Sequence, residues 1–111
     1  MRHVVNEQVG PLSEAVTLIL LSLAEGPRHG YAILKDVEAL SQQRVKLSTG
    51  TLYGAIRRLL DDRWIRRFAE EIAPRDRQAY ELTRQGHQVL AGEVARMKQL
   101  TRVAATRLRE A

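Results

Sequence analysis

The stretch STGTLYGAIRRLLDDRW, residues 48–64, constrains the fold of this chain more than any other feature. Ser48 is a good helix N-cap, because its hydroxyl can accept a hydrogen bond from a backbone N–H of the first turn that has no partner within the helix. Beyond it, leucine and isoleucine recur at helical spacing. They form one apolar stripe, made of Leu52, Ile56, Leu59 and Leu60. The sequence therefore predicts a short helix with one buried side.

The opposite side of this helix is small, hydroxylated and basic. Its members are Gly50, Tyr53, Gly54 and Arg57, with Thr51 and Arg58 on the flanks. Small residues let a helix backbone approach phosphates closely, and arginine bonds phosphates or the edge of guanine. Thr49 and Thr51 are expected to bond phosphates near the helix N-terminus, where the helix dipole favours negative charge. This side predicts docking in the major groove of DNA, with Tyr53 and Arg57 as the main contacts.

Two of these residues have a second interpretation. Tyr53 could instead cover the rim of the core with its ring. Arg58 could pair with Asp61 or Asp62 on the helix surface, an interaction worth less than about 1 kcal/mol. Arg57 lies close to the middle of the exposed side, where a purely structural role is harder to assign.

Three segments occur in the order, and at about the spacing, in which they are found in a known family. They are GPRHGYAIL at 26–34, STGTLYGAIRRLLDDRWI at 48–65 and YELTRQG at 80–86. On these segments the chain resembles the PadR family of winged helix-turn-helix transcriptional regulators, from about Leu12 to the C-terminus. The resemblance implies a sequence-specific regulator that binds a pseudo-palindromic operator in double-stranded DNA as a homodimer, with repression as the expected action.

The resemblance also implies DNA contacts outside the third helix. It places Tyr31 near the phosphate backbone, with a buried aromatic anchor as the alternative role. It assigns Arg75 and Arg77 to the wing. Ser48 and Gly54 complete the predicted DNA-binding set.

One residue departs from the family pattern. Arg63 stands where the family often has glycine, at a helix end that favours a left-handed backbone conformation. Arginine there implies some strain or a different turn.

The rest of the pattern predicts a mainly α-helical fold with a small β-hairpin wing. Helix one is expected at about 12–25 with Ser13 as its N-cap, and helix two at about 30–41. Helix two is expected to direct four residues inward, namely Ile33, Leu34, Val37 and Leu40. Together with the basic third helix it forms a helix-turn-helix. Two strands at 64–68 and 78–82 follow as the wing of a winged helix.

The last helix is expected to begin near Thr83, as N-cap, and to continue to about Arg109. Its apolar residues recur at spacings of three and four, which approximates a coiled-coil seam. At 1.5 Å per residue it would be roughly 40 Å long. A folded-back helix is the alternative, but a projecting seam and a first helix that is apolar on two sides favour a homodimer. The predicted dimerisation residues are Leu18, Leu21, Leu90, Val94, Met97, Leu100, Ala104 and Leu108.

These elements divide the chain into three parts. Residues 1–10 are interpreted as a loosely ordered arm, residues 11–82 as the DNA-binding domain and residues 83–111 as the dimerisation helix. The arm lacks the basic-then-apolar pattern of a signal peptide. The apolar run 15–24 is too short to cross a bilayer, so no membrane partner is expected.

Positive charge is concentrated in the second part of the chain. Residues 1–47 hold five basic and five acidic residues, whereas residues 48–111 hold thirteen and eight, which accounts for the whole net charge of +5. Most of these basic residues are arginine, whose planar fork suits phosphate. There is no cysteine, so the cytoplasm is the expected compartment, with the nucleoid when DNA is bound.

No pattern of catalytic or cofactor-binding residues is apparent. The three histidines lack metal-ligand spacing, and nucleophile elbows, P-loops and dinucleotide-binding fingerprints are absent. The sequence therefore predicts neither an enzyme, a metal site nor a cofactor. A small-molecule effector stays unknown, since the last helix has no aromatic residue to stack on a planar ligand.

Other functions stay open on the sequence alone. Winged helices also serve as protein–protein adaptors, which would fold normally but lack salt-dependent DNA affinity. A small-molecule carrier lacks the aromatic and polar residues of a pocket. RNA binding fits the charge, but the stacking aromatics of single-strand readers are absent.

Overall fold

The computed structural model describes residues 10–68 and 77–110. In this part the elements follow the order α1 (Glu14–Leu23), β1 (Arg28–His29), α2 (Gly30–Leu40), α3 (Thr49–Asp61), β2 (Ile65–Arg67), β3 (Ala79–Leu82) and α4 (Arg84–Glu110). The mainly helical winged-helix architecture predicted from the sequence is confirmed. Residues 1–9 of the predicted arm, and Arg75 in the predicted wing, lie outside the described residues.

The three predicted helix N-caps are all formed. Ser13 Oγ accepts from the backbone N–H of Val16 at 3.1 Å, and Ser48 Oγ accepts from that of Thr51 at 3.1 Å. Thr83 Oγ1 accepts from Gly86 at 3.0 Å. Each cap satisfies a first-turn N–H that has no partner inside the helix. The cap at Ser13 also explains why α1 begins at Glu14 rather than at Leu12.

The sheet has one strand more than the sequence predicts. β2 and β3 form the predicted antiparallel hairpin, with Ile65 opposite Leu82. β1 pairs with the other edge of β3, and Arg28 lies opposite Tyr80, so that the strand order is β1-β3-β2. β1 is only two residues long and follows Pro27. A strand of two residues shows no alternation of apolar and polar residues in the sequence. It forms because β3, which is distant in the chain, pairs with it.

The core lies where α1, α2, α3 and β2 meet. Its largest fully buried apolar side chains are Ile19, Leu20, Ile33, Val37, Leu52, Ile56 and Ile65. Leu34 packs against this core and is half-buried. The inward prediction for Leu40 is wrong, since its side chain is 43% exposed. Leu40 is the last residue of α2, and the chain turns away directly after it.

Two residues predicted for dimerisation belong to the protomer's own core. Leu18 is 8% exposed and Leu90 is 6% exposed, and both pack in the central cluster. Little of either side chain is left for a partner. Helical spacing and the family resemblance gave this prediction, and neither tells which of two apolar sides the same chain covers. Leu21, which lies three residues from Leu18 on the same stripe of α1, is 39% exposed.

The end of α3 is joined firmly to the start of α4. Arg63 has a φ of 64°, and the N–H of Trp64 donates to the Leu59 carbonyl at 3.0 Å. This is a Schellman end with arginine in the position that favours glycine, at a cost of about 1–2 kcal/mol. Thr83 Oγ1 donates to the Arg63 carbonyl at 2.6 Å. A Cβ added to Gly86 would lie 1.9 Å from the Trp64 carbonyl oxygen, which explains the glycine of the YELTRQG segment.

α4 changes character after its first ten residues. Val89, Leu90 and Glu93 are buried against the rest of the protomer. Arg96 donates to both carboxylate oxygens of Glu93, at 3.2 and 2.5 Å. This hydrogen-bonded pair lowers the pKa of the Glu93 carboxyl against the opposing effect of burial, and the backbone N–H of Leu12 lowers it further.

Beyond Val94 the helix leaves the protomer. Every residue from 95 to 109 is exposed, so the folded-back alternative is wrong for this distal half. Although α4 has 27 residues, neither it nor another helix in the described ranges is long and apolar enough to cross a membrane.

Candidate nucleic-acid interface

α3 has the two sides that the sequence predicts. Leu52, Ala55, Ile56 and Leu59 are buried. The other side is exposed over Thr49, Gly50, Thr51, Arg57 and Arg58. A Cβ added to Gly50 or Gly54 would meet nothing within 4 Å. The exposed side is therefore open, polar and accessible to a large ligand.

At the N-terminus of α3, Ser48 is used by the helix itself. Its hydroxyl accepts from the Thr51 N–H and donates to Thr51 Oγ1 at 2.9 Å. Ser48 is thus a structural cap whose proton is already engaged. Thr49 and Thr51 remain exposed at the positive end of the helix dipole. Of the three predicted hydroxyl contacts, these two are placed to meet an anion.

Tyr53 connects two of the sequence segments. Its side chain is half-buried and packs against the core. A Cβ added to Gly30 would lie 2.2 Å from Tyr53 Oη, so the glycine of GPRHGYAIL makes room for the tyrosine of STGTLYGAIRRLLDDRWI. The rim position given as the alternative for Tyr53 is the one it occupies.

Tyr31 lies on the surface. Its side chain is 66% exposed, and the Lys35 ammonium lies 5.8 Å from the centre of its ring. The alternative role as a buried aromatic anchor is wrong. Tyr31 follows Gly30 directly, so its exposed ring is close in sequence to the contact with Tyr53.

The arginines of α3 have no acidic partners in the part of the chain that the structure describes. Arg28, Arg66 and Arg96 each pair with a carboxylate. Within the described segments Arg57 and Arg58 form no ion pair. The alternative in which Arg58 pairs with Asp61 or Asp62 is therefore wrong. Their guanidinium groups remain available to an external anion, and arginine suits phosphate and guanine.

A groove runs between α3 and the sheet. It has a volume of about 280 Å³. The groove, called the α3–sheet groove below, is lined by Tyr53, Ile56, Arg57, Leu60, Arg67, Gln78 and Tyr80. Arg57 belongs both to this groove and to the exposed side of α3.

Arg67 is a residue that the sequence analysis missed. It lies in β2, is exposed and lines the groove beside Arg57. The signal was available, because side chains alternate along a strand and Arg67 is two residues beyond the buried Ile65. Arg44 and Lys46, in the connection leading into α3, were also missed and are exposed.

The wing is described in part. Arg77 is exposed just before β3. The turn at 69–76, with Arg75, lies outside the described residues. Contact between Arg75 and DNA therefore stays a prediction.

Comparison with known proteins agrees with this architecture. The model of the "Transcriptional regulator PadR-like family" matches residues 19–92. A 37.1 kDa protein in transposon TN4556 of Streptomyces fradiae is 37% identical over 89 residues, covering 80% of this chain and 24% of that protein. The chain thus spans about a quarter of the length of this relative.

Two solved structures share the fold. A PadR family transcription regulator from Clostridium difficile is 23% identical, with a TM-score of 0.69 over 86% of this chain and 99% of that chain. Bacillus subtilis PadR, solved in complex with operator DNA, is 23% identical, with a TM-score of 0.62 over 78% of this chain and 49% of that chain.

Proposed function

We propose that this chain, which belongs to the PadR-like family of transcriptional regulators, is a sequence-specific DNA-binding regulator that acts as a homodimeric repressor. α3 is its recognition helix and lies in the major groove. The observation that carries the proposal is the exposed side of α3, where arginines that pair with no described acidic residue flank open glycines. The same fold binds operator DNA in the Bacillus subtilis protein.

The contacts divide into two kinds. Thr49 and Thr51 bond backbone phosphates at the positive end of the helix, and these contacts set affinity and its salt dependence. Arg58 and the exposed edge of Tyr53 contact base edges, which the side chains of a recognition helix reach in the major groove. Tyr31, Arg75 and Arg77 add backbone contacts on either side.

Homodimerisation is supported by the distal half of α4. Its exposed apolar residues are Met97, Leu100, Val103 and Leu108, and Val103 adds to the set predicted from the sequence. Pairing with a second copy would bury this stripe, since apolar surface removed from water contributes about 25 cal/mol per Å². A two-fold dimer presents two recognition helices to major grooves about 34–36 Å apart. Binding over a promoter then represses by occupancy.

The test begins with selection of duplexes from a random-sequence pool, with the DNA upstream of the protein's own gene included. Affinity for the enriched duplex is then measured by fluorescence anisotropy over a salt series. We expect two half-sites related by a dyad. Arg57→Ala should lower affinity about tenfold or more, as expected for loss of a charge-assisted arginine hydrogen bond.

Two controls make the result specific. A scrambled duplex reports binding that depends on charge alone. Arg102→Ala removes the same charge from the distal half of α4, where Arg102 bonds Gln99, and should bind like the wild type. If no duplex is enriched and both variants bind alike, DNA recognition by α3 is excluded, and the adaptor interpretation takes its place.

A further inference from the structure

The α3–sheet groove is lined by cationic side chains that packing of the apolar core does not require. Its two charged residues are both arginines, Arg57 and Arg67, and no acidic residue of the described segments lines it. Neither guanidinium forms an ion pair with a described residue. Two like charges that face one opening repel each other and give it a positive potential. An anion in the groove would relieve that repulsion.

Arg67 faces the helices rather than the outer side of the sheet. Side chains alternate along a strand, so Arg67 shares the face of Ile65, which is 1% exposed. Arg66 lies on the opposite face and pairs across the hairpin with Glu81 at 2.8 Å. The two neighbouring arginines therefore differ in role. The outer arginine pairs within the chain, and the guanidinium of the inner one has no acidic partner among residues 10–68 and 77–110.

Gln78 adds a neutral donor to the same place. It is 5% exposed and lines the groove. Its amide nitrogen donates to the Ala79 carbonyl at 3.3 Å, and the second N–H of the amide has no partner among the described residues. A nearly buried amide and two guanidinium groups then converge on one opening, and all three are hydrogen-bond donors.

We infer that the α3–sheet groove binds one phosphate of the DNA backbone, held by Arg57 and Arg67 with the Gln78 amide. The inference rests on the proposed function and deepens it. It assigns Arg57 to the backbone and leaves sequence discrimination to the other exposed residues of α3. One phosphate clamped between the recognition helix and the sheet fixes how deeply α3 lies in the major groove.

A free phosphate ion would use the same donors, so the source of the anion has to be decided. The position of the groove favours DNA as the source of the phosphate, because Arg57 also belongs to the exposed side of α3. An anion bound there lies at the border of the surface that the proposed function places on DNA.

The experiment compares Arg67→Ala with Arg66→Ala, two equal charge changes at adjacent positions of one strand. Affinity for the selected duplex is measured over a salt series, and thermal unfolding verifies that both variants fold. We expect Arg67→Ala to bind about tenfold more weakly and to reduce the slope of log affinity against log salt by about 0.9, as for one lost phosphate contact. Arg66→Ala should bind within about twofold of the wild type. Arg67→Lys should keep most of the slope, because it keeps the charge.

The phosphate itself is located with duplexes that carry a neutral methylphosphonate at one position at a time. A methylphosphonate at one position in each half-site should weaken binding by the wild type. It should weaken binding by Arg67→Ala less, because that variant has already lost one of the contacts to the same phosphate. If Arg67→Ala and Arg66→Ala bind alike while the wild type still selects its operator, the groove inference is wrong and the proposed function stands.

Inorganic phosphate separates the two sources of the anion. If phosphate raises the melting temperature of the DNA-free wild type but not of Arg67→Ala, and no methylphosphonate matters, the groove is a free-anion site and the inference is overturned. If the wild type binds no DNA at all, the proposed function fails first.

Discussion

α3 has one exposed side and the distal half of α4 is exposed throughout, and the surfaces that the two helices present are chemically opposite. In α3 the apolar stripe is buried and the polar side is open. In the distal half of α4 the apolar stripe itself is open, with Leu100 53% and Leu108 75% exposed. Water solvates a polar side at no cost, so only its composition points to a ligand. An apolar stripe in water is unfavourable whatever its composition.

The difference shows that a partner of α4 and a partner of α3 are indicated by two kinds of observation. For α4, the unfavourable exposure of apolar residues indicates that a second apolar surface covers them. For α3, the kind of polar groups on the exposed side indicates that the partner is DNA. The two helices are also mechanically linked, because Thr83 and Gly86 hold the start of α4 against the end of α3. Pairing of the distal halves would therefore set the spacing between the two recognition helices.

The largest expected effect comes from putting a charge in the apolar stripe. Leu100→Glu should convert the proposed dimer to a monomer, because two carboxylates would be buried at the dyad-related seam. Affinity for the full operator should fall about a hundredfold, since the second half-site no longer contributes to avidity. Light scattering after size exclusion and fluorescence anisotropy measure the two effects.

Gln99→Glu is the matched control for this change. It adds the same charge at an exposed neighbouring position of α4 and should leave both the mass and the affinity unchanged. A dimeric Leu100→Glu variant with normal operator affinity would show that the stripe of α4 does not join two subunits.

The next effect concerns the joint between the two helices. Gly86→Ala would bring a Cβ to 1.9 Å from the Trp64 carbonyl oxygen, and backbone atoms on both sides would have to move. We expect a loss of about 1–3 kcal/mol in the free energy of unfolding, as for other overpacked sites. Urea denaturation followed by Trp64 fluorescence measures it. Gly92 lies later in α4, and a Cβ added there has no atom within 4 Å, so Gly92→Ala should be stabilising. A loss of stability in both variants would contradict the assignment of Gly86 to the contact between α4 and the end of α3.

A smaller effect compares two open helical glycines, Gly54 in α3 and Gly92 in α4. Neither has an atom within 4 Å of an added Cβ, so alanine should stabilise the free protein at either position, by up to about 1 kcal/mol. DNA affinity should separate them. Gly54→Ala should weaken operator binding, because its methyl group projects from the side of α3 that approaches DNA, and Gly92→Ala should not. Thermal unfolding measures the stability of each variant, and fluorescence anisotropy measures its affinity for the operator. Equal operator affinities of the two variants would show that Gly54 does not lie at the DNA interface.

The local features of the fold could be predicted from the sequence. Caps at Ser13, Ser48 and Thr83 depend on a few neighbouring residues, and all three form. Two outcomes were left open at Arg63, a strained left-handed helix end or a different turn, and the left-handed end is the one present. These features are decided by short-range hydrogen bonds and φ preferences, which a sequence displays directly.

What depended on distant contacts was harder to predict. β1 exists because β3 lies beside it, and Leu90 is buried because α4 crosses the protomer before leaving it. The role of Arg67 needed both the alternation of β2 and the position of α3. In each case the deciding neighbour lies far along the chain, and periodicity does not identify it.

The smallest expected effect lies at the boundary where α4 leaves the protomer. Glu93 is the last buried residue of the helix, and its hydrogen bonds with Arg96 lower the pKa of its carboxyl below the ordinary value of 4.5. A lowered pKa means that the pair stabilises the fold above about pH 4.5 and that this stabilisation is lost as the pH falls through the lowered pKa. Glu93→Gln should therefore reduce stability at neutral pH, and its unfolding free energy should converge with that of the wild type in acid. Arg96→Gln should give the same convergence, because it leaves the carboxylate without its main partner. Parallel stability curves for the wild type and Glu93→Gln from pH 7 to pH 3 would show that this ion pair does not anchor the proximal half of α4.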